Sequence, residues 1–436
     1  MTRYAYDEAD NRVAVTDALG HTTRAEYDAL DRRTATVSPL GFRATVQYDA
    51  AGNAVLSTDA DGRVTTRTFD AGGNLLTRTA GGATVAYTYT PAGQLATVTD
   101  AAGTTGFSYD AGGRLLRRTE PDGRSIAYRY DGAGNRTAID TPAGATAYTF
   151  DARGRTLTVT DPFGGVTGFA HDLAGNRTRT AFADGTVEAQ TYNSRDRLRS
   201  ATTTDAAGGV LLGFAYTTDL SGLRTSVVET GPRPRAVAFA YDQLGRLTAE
   251  SVTPAGGGSS TTGYGYDAAG NRLSRTGPAG TTVSSYDAAD RLLTETTNGV
   301  TTAYSYDNSG NTLSRTGGGE SAVYGYSADH RLVTAAVTVG GITRTVARRY
   351  AGDGLRVATT ADGVETRFLI DADRPFAETV EESSRGLVSF AVADAAVLTV
   401  RRGGVTGVLH ADAVGSTRLV TVGGRRPVGR SETPSA

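Results

Sequence analysis

An internal repeat with a period of about twenty residues constrains the fold of this chain more than any other feature. An aromatic residue, usually a tyrosine followed by aspartate, returns in register along the sequence, with a histidine once in its place. The repeat positions are Tyr6, Tyr27, Tyr48, Phe69, Tyr89, Tyr109, Tyr130, Phe150, His171, Tyr192, Tyr216, Tyr241, Tyr266, Tyr286, Tyr306, Tyr326 and Tyr350. Such a period is typical of arrays in which each unit packs mainly against its neighbours. We therefore expect one extended repeat array.

Each repeat carries two turn signals about ten residues apart, so we expect it to form two short strands. In the repeat that begins at Tyr266, the carboxylate of Asp267 can accept hydrogen bonds from backbone amides of the following turn, and Gly270 can adopt a positive φ. Leu, Thr, Val, Tyr and Arg alternate between the turns, which is typical of strands. Frequent glycine disfavours long helices. The sequence therefore predicts an all-β fold of tandem β-hairpins.

Composition and charge exclude several classes of function. Hydrophobic residues make up 39% of the chain and aromatic residues 8%, which suits a sheet with at least one wetted face. The formal net charge is -2, so no basic field attracts nucleic acid. No apolar segment is long enough for a transmembrane helix. Because the chain has no cysteine, it has neither disulfides nor thiolate metal sites, and we expect no cofactor.

Several copies of the repeat show the signature Y-D-x-x-G-N in full, among them those that begin at Tyr130, Tyr266 and Tyr306, and other copies follow it with substitutions. The signature residues are Tyr130, Asp131, Gly134 and Asn135; Tyr266, Asp267, Gly270 and Asn271; and Tyr306, Asp307, Gly310 and Asn311. In these motifs the chain resembles the Rhs / YD-repeat family, which includes bacterial polymorphic toxins, shell-forming subunits of insecticidal toxin complexes and the animal teneurins. The resemblance implies a hairpin ribbon coiled into a YD-type β-solenoid shell. Because family shells generally use more units, we expect an incomplete or partly open shell.

The last part of the chain resembles the Rhs-associated core region of the same family. The most specific match is an H-x-D-x-x-G-S-x-R box formed by His410, Asp412, Gly415, Ser416 and Arg418. The resemblance therefore predicts a repeat array over residues 1–349, a core-like segment over 350–422 and a polar tail over 423–436. Since no toxin domain follows the box, we expect a truncated family member with an open sheet edge at each end.

Family members commonly cleave themselves with an aspartyl autoprotease that carries paired D-P-x-G motifs. This sequence has one such motif, Asp161-Pro162-Phe163-Gly164, in the second turn of an internal repeat. Because two carboxylates must share a site for this chemistry, we interpret the motif as a turn. We expect no autoprotease, no catalytic residue and no enzymatic activity.

Metal sites are not predicted either. The four histidines are His21, His171, His330 and His410, and none has a second histidine at ligand spacing. His410 with Asp412 supplies two ligands where a metal needs three or more. The segment Asp59-Ala60-Asp61-Gly62 lacks the remainder of a calcium loop and matches a repeat turn.

The sequence leaves three functions open. The first is a non-enzymatic scaffold, a shell or cargo carrier of an Rhs-type toxin system, whose partner is an encapsulated or C-terminal toxin polypeptide supplied elsewhere. The second is an adhesive protein that binds surface glycans through tyrosine pairs such as Tyr128 and Tyr130, which share one face of a strand. The third is a non-functional gene remnant. The resemblance implies a secreted or cell-surface location, whereas the lack of a signal peptide in this chain leaves a cytoplasmic location open.

Overall fold

The computed structural model describes residues 1–373, 377–384, 386–393, 396–412 and 416–424, and it contains only β-strands, turns and bends within them. In chain order the strands are β1 (Arg3–Tyr6), β2 (Arg12–Thr16), β3 (Thr22–Tyr27), β4 (Arg33–Val37), β5 (Arg43–Tyr48), β6 (Ala54–Thr58), β7 (Val64–Phe69), β8 (Leu75–Ala80), β9 (Ala83–Tyr89), β10 (Leu95–Asp100), β11 (Gly103–Tyr109), β12 (Leu115–Thr119), β13 (Ser125–Tyr130), β14 (Arg136–Thr141), β15 (Gly144–Phe150), β16 (Thr156–Thr160), β17 (Val166–His171), β18 (Arg177–Ala181), β19 (Val187–Tyr192), β20 (Leu198–Thr204), β21 (Val210–Thr218), β22 (Arg224–Thr230), β23 (Arg235–Tyr241), β24 (Leu247–Pro254), β25 (Ser260–Tyr266), β26 (Arg272–Gly277), β27 (Gly280–Tyr286), β28 (Leu292–Thr297), β29 (Val300–Tyr306), β30 (Thr312–Gly317), β31 (Glu320–Tyr326), β32 (Leu332–Val339), β33 (Ile342–Tyr350), β34 (Arg356–Ala361), β35 (Val364–Asp371), β36 (Glu378–Ser383), β37 (Leu387–Ala393), β38 (Ala396–Arg402), β39 (Val405–Ala411) and β40 (Thr417–Thr421).

Successive strands form antiparallel hairpins, and the register shifts beside the signature aromatic residue. Between β13 and β14, Arg129 faces Ala138 but Tyr130 faces Arg136, so Thr137 is left over as a bulge. The same shift occurs beside Tyr266 and Tyr306. A bulge increases the local right-handed twist of a strand pair. The repeat therefore builds the same twist into hairpin after hairpin.

The chain divides into two compact units, each made of an early and a late stretch of hairpins. Unit 1 comprises residues 1–107 and 262–366, and unit 2 comprises residues 108–261 and 367–436. The predicted boundary at residue 350 falls inside β33, and the division into array, core-like segment and tail stays a prediction. No helix long and apolar enough to cross a membrane occurs in the part of the chain that the structure describes.

In unit 2 the early and late stretches meet in an apolar core. Its buried side chains are Ile126, Tyr128, Ile139, Tyr148, Val159, Phe169 and Phe182 from the early stretch, and Leu369, Val380, Leu398 and Val408 from the late stretch. Polar groups at the border are paired: the hydroxyl of Tyr148 donates to the carbonyl of Val392 at 2.9 Å, and the amide of Ala143 donates to the carboxylate of Glu381 at 2.7 Å. Burial of these apolar side chains stabilises the contact between the stretches.

In unit 1 the corresponding contact is mostly ionic. Arg63 lies 3.1 Å from the carboxylate of Asp307, and the carboxylate of Asp61 accepts hydrogen bonds from the amides of Asn308 and Ser309 at 2.9 and 3.1 Å. Arg78 forms an ion pair with Asp329, which also belongs to the late stretch. The two units therefore join their early and late hairpins by different physical means.

A small apolar contact in unit 1 depends on a glycine. A Cβ atom on Gly352 would lie 2.7 Å from a methyl group of Val85 and 2.8 Å from one of Val98. Both valines are buried. Only glycine therefore lets the late stretch approach the early one at this point.

The predicted fold class is confirmed: the described residues form an all-β array of tandem antiparallel hairpins. The strand pairings explain why frequent glycine and threonine are compatible with a folded chain. Each strand takes its backbone hydrogen bonds from its neighbours in sequence, and the turns need residues that tolerate positive φ.

Candidate functional site

The signature residues build a closed hydrogen-bonded turn. The Oδ1 atom of Asp131 accepts from the amides of Ala133 and Asn135 at 3.0 and 2.8 Å, and its Oδ2 atom accepts from the side-chain amide of Asn135 at 2.8 Å. Gly134 has a φ of 90°, which favours glycine. These hydrogen bonds lower the pKa of Asp131. The carboxylate therefore stabilises its own turn.

The signatures that begin at Tyr266 and Tyr306 have the same geometry. Asp267 and Asp307 each accept from the backbone amide and the side-chain amide of the asparagine four residues on. Gly270 and Gly310 have φ values of 108° and 94°. In some other repeats an aspartate or a histidine occupies this glycine position at positive φ, as at Asp31, Asp196, Asp290 and His330.

Many of the repeat tyrosines bond to the strand that precedes them in the chain. Tyr130 donates its hydroxyl hydrogen to the carbonyl of Leu115 at 2.9 Å, and Tyr306 donates to that of Leu292 at 2.8 Å. The same bond is made by Tyr27, Tyr48, Tyr89, Tyr192, Tyr241, Tyr286 and Tyr350. The guanidinium of Arg114 also lies 4.8 Å from the centroid of the Tyr130 ring. The hydroxyl of Tyr130 and one face of its ring therefore already have partners within the protein.

Tyr128 and Tyr130 also hold a late turn in unit 2. Tyr128 is 2% exposed and donates its hydroxyl hydrogen to Asp371 at 2.8 Å, while the hydroxyl of Tyr130, which bonds to Leu115, also lies 3.1 Å from the carboxylate of Asp373. Arg136 lies 3.2 Å from the carboxylate of Asp371 and 3.7 Å from that of Asp373. Burial and these carboxylates raise the pKa of Tyr128 strongly and that of Tyr130 to about 12.

This cluster contains two carboxylates but does not resemble an acid–base dyad. A dyad needs two carboxyl groups that compete for one proton. Here the guanidinium of Arg136 lies between the two carboxylates, the hydroxyl of Tyr128 donates to Asp371, and the hydroxyl of Tyr130 lies beside Asp373. The arrangement suits a structural clamp between the early and late hairpins of unit 2.

The residues of the core box are placed in two separate environments. His410 is fully buried, and its Nε2 atom lies 2.8 Å from the hydroxyl of Thr421. Thr421 donates its hydroxyl hydrogen to Asp184, so the imidazole must donate from Nε2. The Nδ1 atom is buried without a hydrogen-bond partner. Burial lowers the pKa of His410 to about 4, and the ring packs edge-on against Phe182 with the centroids 4.8 Å apart.

The other described residues of the box, Asp412, Ser416 and Arg418, are less buried than His410. The carboxylate of Asp412 accepts from the amide of Ser416 at 3.1 Å and lies 3.4 Å from the guanidinium of Arg418. Arg418 also lies 2.8 Å from the carboxylate of Glu229 in β22. Gly415 lies outside the described residues. The box thus joins the late stretch of unit 2 to its early stretch.

The single D-P-x-G motif forms a turn. The Oδ1 atom of Asp161 accepts from the amides of Phe163 and Gly165, both at 2.9 Å. Asp59 uses its Oδ1 atom in the same way, for the amides of Asp61 and Arg63. These carboxylates therefore have the same local role as Asp131.

Sequence reasoning missed two features. Asp17 and His21 lie beside Asp290, with one ligand atom of each within 4.8 Å of the others. The second feature is Glu188 in β19. Burial of its carboxyl group raises its pKa to about 7, although the positive charge of Arg177 acts to lower it. No local signal could have found the first feature, because Asp290 belongs to a distant repeat.

Comparisons with known proteins agree with this geometry. The sequence model of the RHS repeat matches residues 6–43, 48–84, 109–146 and 150–187. A search of curated protein sequences finds no significant match.

Among solved structures, the chain resembles the Photorhabdus luminescens Tc holotoxin pore with a point mutation in TccC3, at 16% identity and a TM-score of 0.72, covering 97% of this chain and 27% of that one. It also resembles TcdB2-TccC3 without its hypervariable C-terminal region, at 14% identity and a TM-score of 0.72, covering 97% of this chain and 26% of that one. A third match is TcdB2-TccC3-Cdc42, at 15% identity and a TM-score of 0.69, with coverages of 97% and 26%. The chain therefore has the fold of about a quarter of these longer chains.

Proposed function

We propose that the chain is a non-enzymatic scaffold, a shell or cargo-carrier segment that surrounds a toxin polypeptide supplied elsewhere. The matches to the RHS repeat model and the likeness in fold to toxin-complex chains support this proposal. The observation that carries the proposal is the way hairpins distant in sequence are joined side by side in each unit, by the apolar core of unit 2 and the ion pairs of unit 1. Within each unit, hairpins held in this way present a wall of sheet.

The chemistry of the side chains supports a scaffold over an enzyme. The turn aspartates accept hydrogen bonds from amides of their own turns, as for Asp131 and Asp161. The buried carboxylate of Asp371 is paired with Arg136. These carboxylates stabilise turns and join hairpins, which is a structural role. The solved chains with this fold belong to toxin complexes, which supports a secreted or cell-surface site of action.

A protease-protection experiment tests the proposal. An unstructured segment with an epitope tag is fused to the C-terminus of the full chain, and the same segment is fused to the N-terminus as the control. If the array encloses the C-terminal extension, proteinase K should remove the N-terminal tag much faster than the C-terminal one.

The contact between early and late hairpins of unit 2 offers a matched variant. Leu398 is buried in its apolar core, and Leu398→Ala should loosen that contact by about 2–5 kcal/mol. Faster cleavage of the C-terminal tag in this variant would support enclosure. Equal cleavage rates of the two tags in the wild-type chain would contradict the proposal.

The pair formed by Tyr128 and Tyr130 does not support the glycan-binding alternative. Tyr128 is buried, and Tyr130 uses its hydroxyl for Leu115 and Asp373. Sugar stacking needs an open ring face. At this pair the aromatic residues pack the protein itself.

A further inference from the structure

One imidazole and two carboxylates meet in unit 1 where an early hairpin contacts a late one. Asp17 and His21 lie in the turn between β2 and β3, and Asp290 lies in the turn between β27 and β28. One ligand atom from each of these residues lies within 4.8 Å of the other two. From this geometry we propose that Asp17, His21 and Asp290 bind a divalent transition-metal ion of the Zn²⁺ class.

Two of the ligands are already close to a chelating arrangement. The Oδ2 atom of Asp17 lies 3.1 Å from the Nδ1 atom of His21. Zinc binds oxygen and nitrogen ligands at about 2.0–2.1 Å in a tetrahedron, so neighbouring ligand atoms around it are about 3.3 Å apart. The Oδ1 atom of Asp17 is held by the amides of Leu19 and His21 at 2.9 and 2.8 Å, which orients Oδ2 toward the imidazole.

The third ligand is oriented by a neighbouring repeat. The side-chain amide of Asn271 donates to the Oδ1 atom of Asp290 at 2.6 Å, leaving Oδ2 available. Asp290 adopts a φ of 59° in this turn. Hydrogen bonds to the second oxygen of a metal-binding carboxylate orient it and strengthen binding.

The donor atoms select the kind of metal. Calcium and magnesium prefer sites made only of oxygen ligands, whereas an imidazole favours zinc, nickel or copper. The side chains of Asp17 and His21 are partly exposed, and Asp290 is exposed. Water can therefore reach the ion and complete its coordination.

Charge at this contact supports a bound cation. In the same unit, Arg63 lies 3.1 Å from Asp307 and neutralises it. In the described part of the chain, no arginine forms an ion pair with Asp17 or Asp290, and His21 is the basic group between them. A divalent ion would supply the positive charge that an arginine supplies at the neighbouring contact. It would also cross-link the first repeats to a late hairpin of unit 1.

The test uses the full chain, stripped with EDTA and then titrated with Zn²⁺ and Co²⁺. Isothermal titration calorimetry gives stoichiometry and affinity, and circular dichroism gives the midpoint of thermal unfolding. Wild type is compared with His21→Asn and Asp290→Asn; asparagine tolerates the positive φ at 290. His330→Asn is the control, because His330 contacts the single carboxylate of Asp59 in the same unit.

We expect the wild-type chain and the His330→Asn control to bind one Zn²⁺ with a rise in the unfolding midpoint. His21→Asn and Asp290→Asn should bind Zn²⁺ at least about 10–100-fold more weakly. A His21→Cys variant should regain binding and show a thiolate–Co²⁺ absorption band, which separates loss of a ligand from loss of the fold. The proposal is overturned if the wild-type chain binds no Zn²⁺ at millimolar concentration, or if His21→Asn binds as the wild type does.

Discussion

Acidification is expected to weaken unit 2 through His410. The side chain is fully buried and packs against Phe182, and its Nε2 atom hydrogen-bonds to Thr421. Burial lowers its pKa from 6.5 to about 4. Because the folded protein prefers the neutral imidazole, its contribution to stability is complete above pH 6.5 and is lost as the pH falls from 6.5 through 4.

The size of the effect follows from the pKa difference. Each pKa unit corresponds to about 1.4 kcal/mol, so the free energy of unfolding should fall by about 3 kcal/mol across this pH range on account of His410. Asp184 has a lowered pKa, so it loses its contribution only at still lower pH. Glu188 acts in the opposite direction. Because its pKa is raised in the folded state, its contribution to the free energy of unfolding becomes more favourable as the pH falls from 7.

A comparison with His410→Gln isolates the histidine from these other groups. Urea unfolding is followed by circular dichroism at several pH values for both proteins, and hydrogen exchange locates the change in β39 and β40. The stability difference between wild type and variant should shrink by about 3 kcal/mol from pH 7.5 to 4. A difference that stays constant with pH would refute the assignment of a neutral, buried imidazole.

Three further outcomes are expected. Glu188→Gln should stabilise the protein by about 1–3 kcal/mol at neutral pH and have little effect near pH 4.5, which urea unfolding at both pH values checks; an equal gain at both values would contradict the raised pKa. Gly352→Ala should destabilise unit 1 by about 1–3 kcal/mol, because the new methyl group meets two valine side chains. The control Gly106→Ala should not destabilise it, because the space around Gly106 is open. Thermal unfolding of both variants measures the difference. Tyr130→Phe removes a hydroxyl that lies between two acceptors and should lower the free energy of unfolding by about 1–3 kcal/mol. Tyr286→Phe removes one exposed hydrogen bond and should lower it less. Equal losses of stability in the two variants would argue against the clamp.

The local structure of the hairpins could be predicted from the sequence. Asp131, Gly134 and Asn135 interact within one turn of a few residues, so their chemistry is independent of the rest of the chain. Strand alternation likewise depends on neighbouring positions. The twist added by the bulge beside Tyr130 was not visible in the sequence pattern, because it depends on which residues pair across the hairpin.

Contacts between repeats were only partly predictable. His410 was singled out together with Asp412, yet the structure pairs it with Thr421 and places Asp184 behind that hydroxyl. By sequence the nearer candidate is Asp412, because Asp184 belongs to a distant repeat. Which one lies near the imidazole depends on the position of a hairpin from a distant part of unit 2.

The sequence by itself determined the all-β class, the hairpin period and the turn chemistry, because these arise from interactions over a few residues that recur in every repeat. The tertiary structure alone decided that Tyr128 meets Asp371 and that Asp17 and His21 meet Asp290. Such meetings depend on the twist summed over many hairpins. A small change of twist in each hairpin would bring different residues together, so no local pattern encodes them.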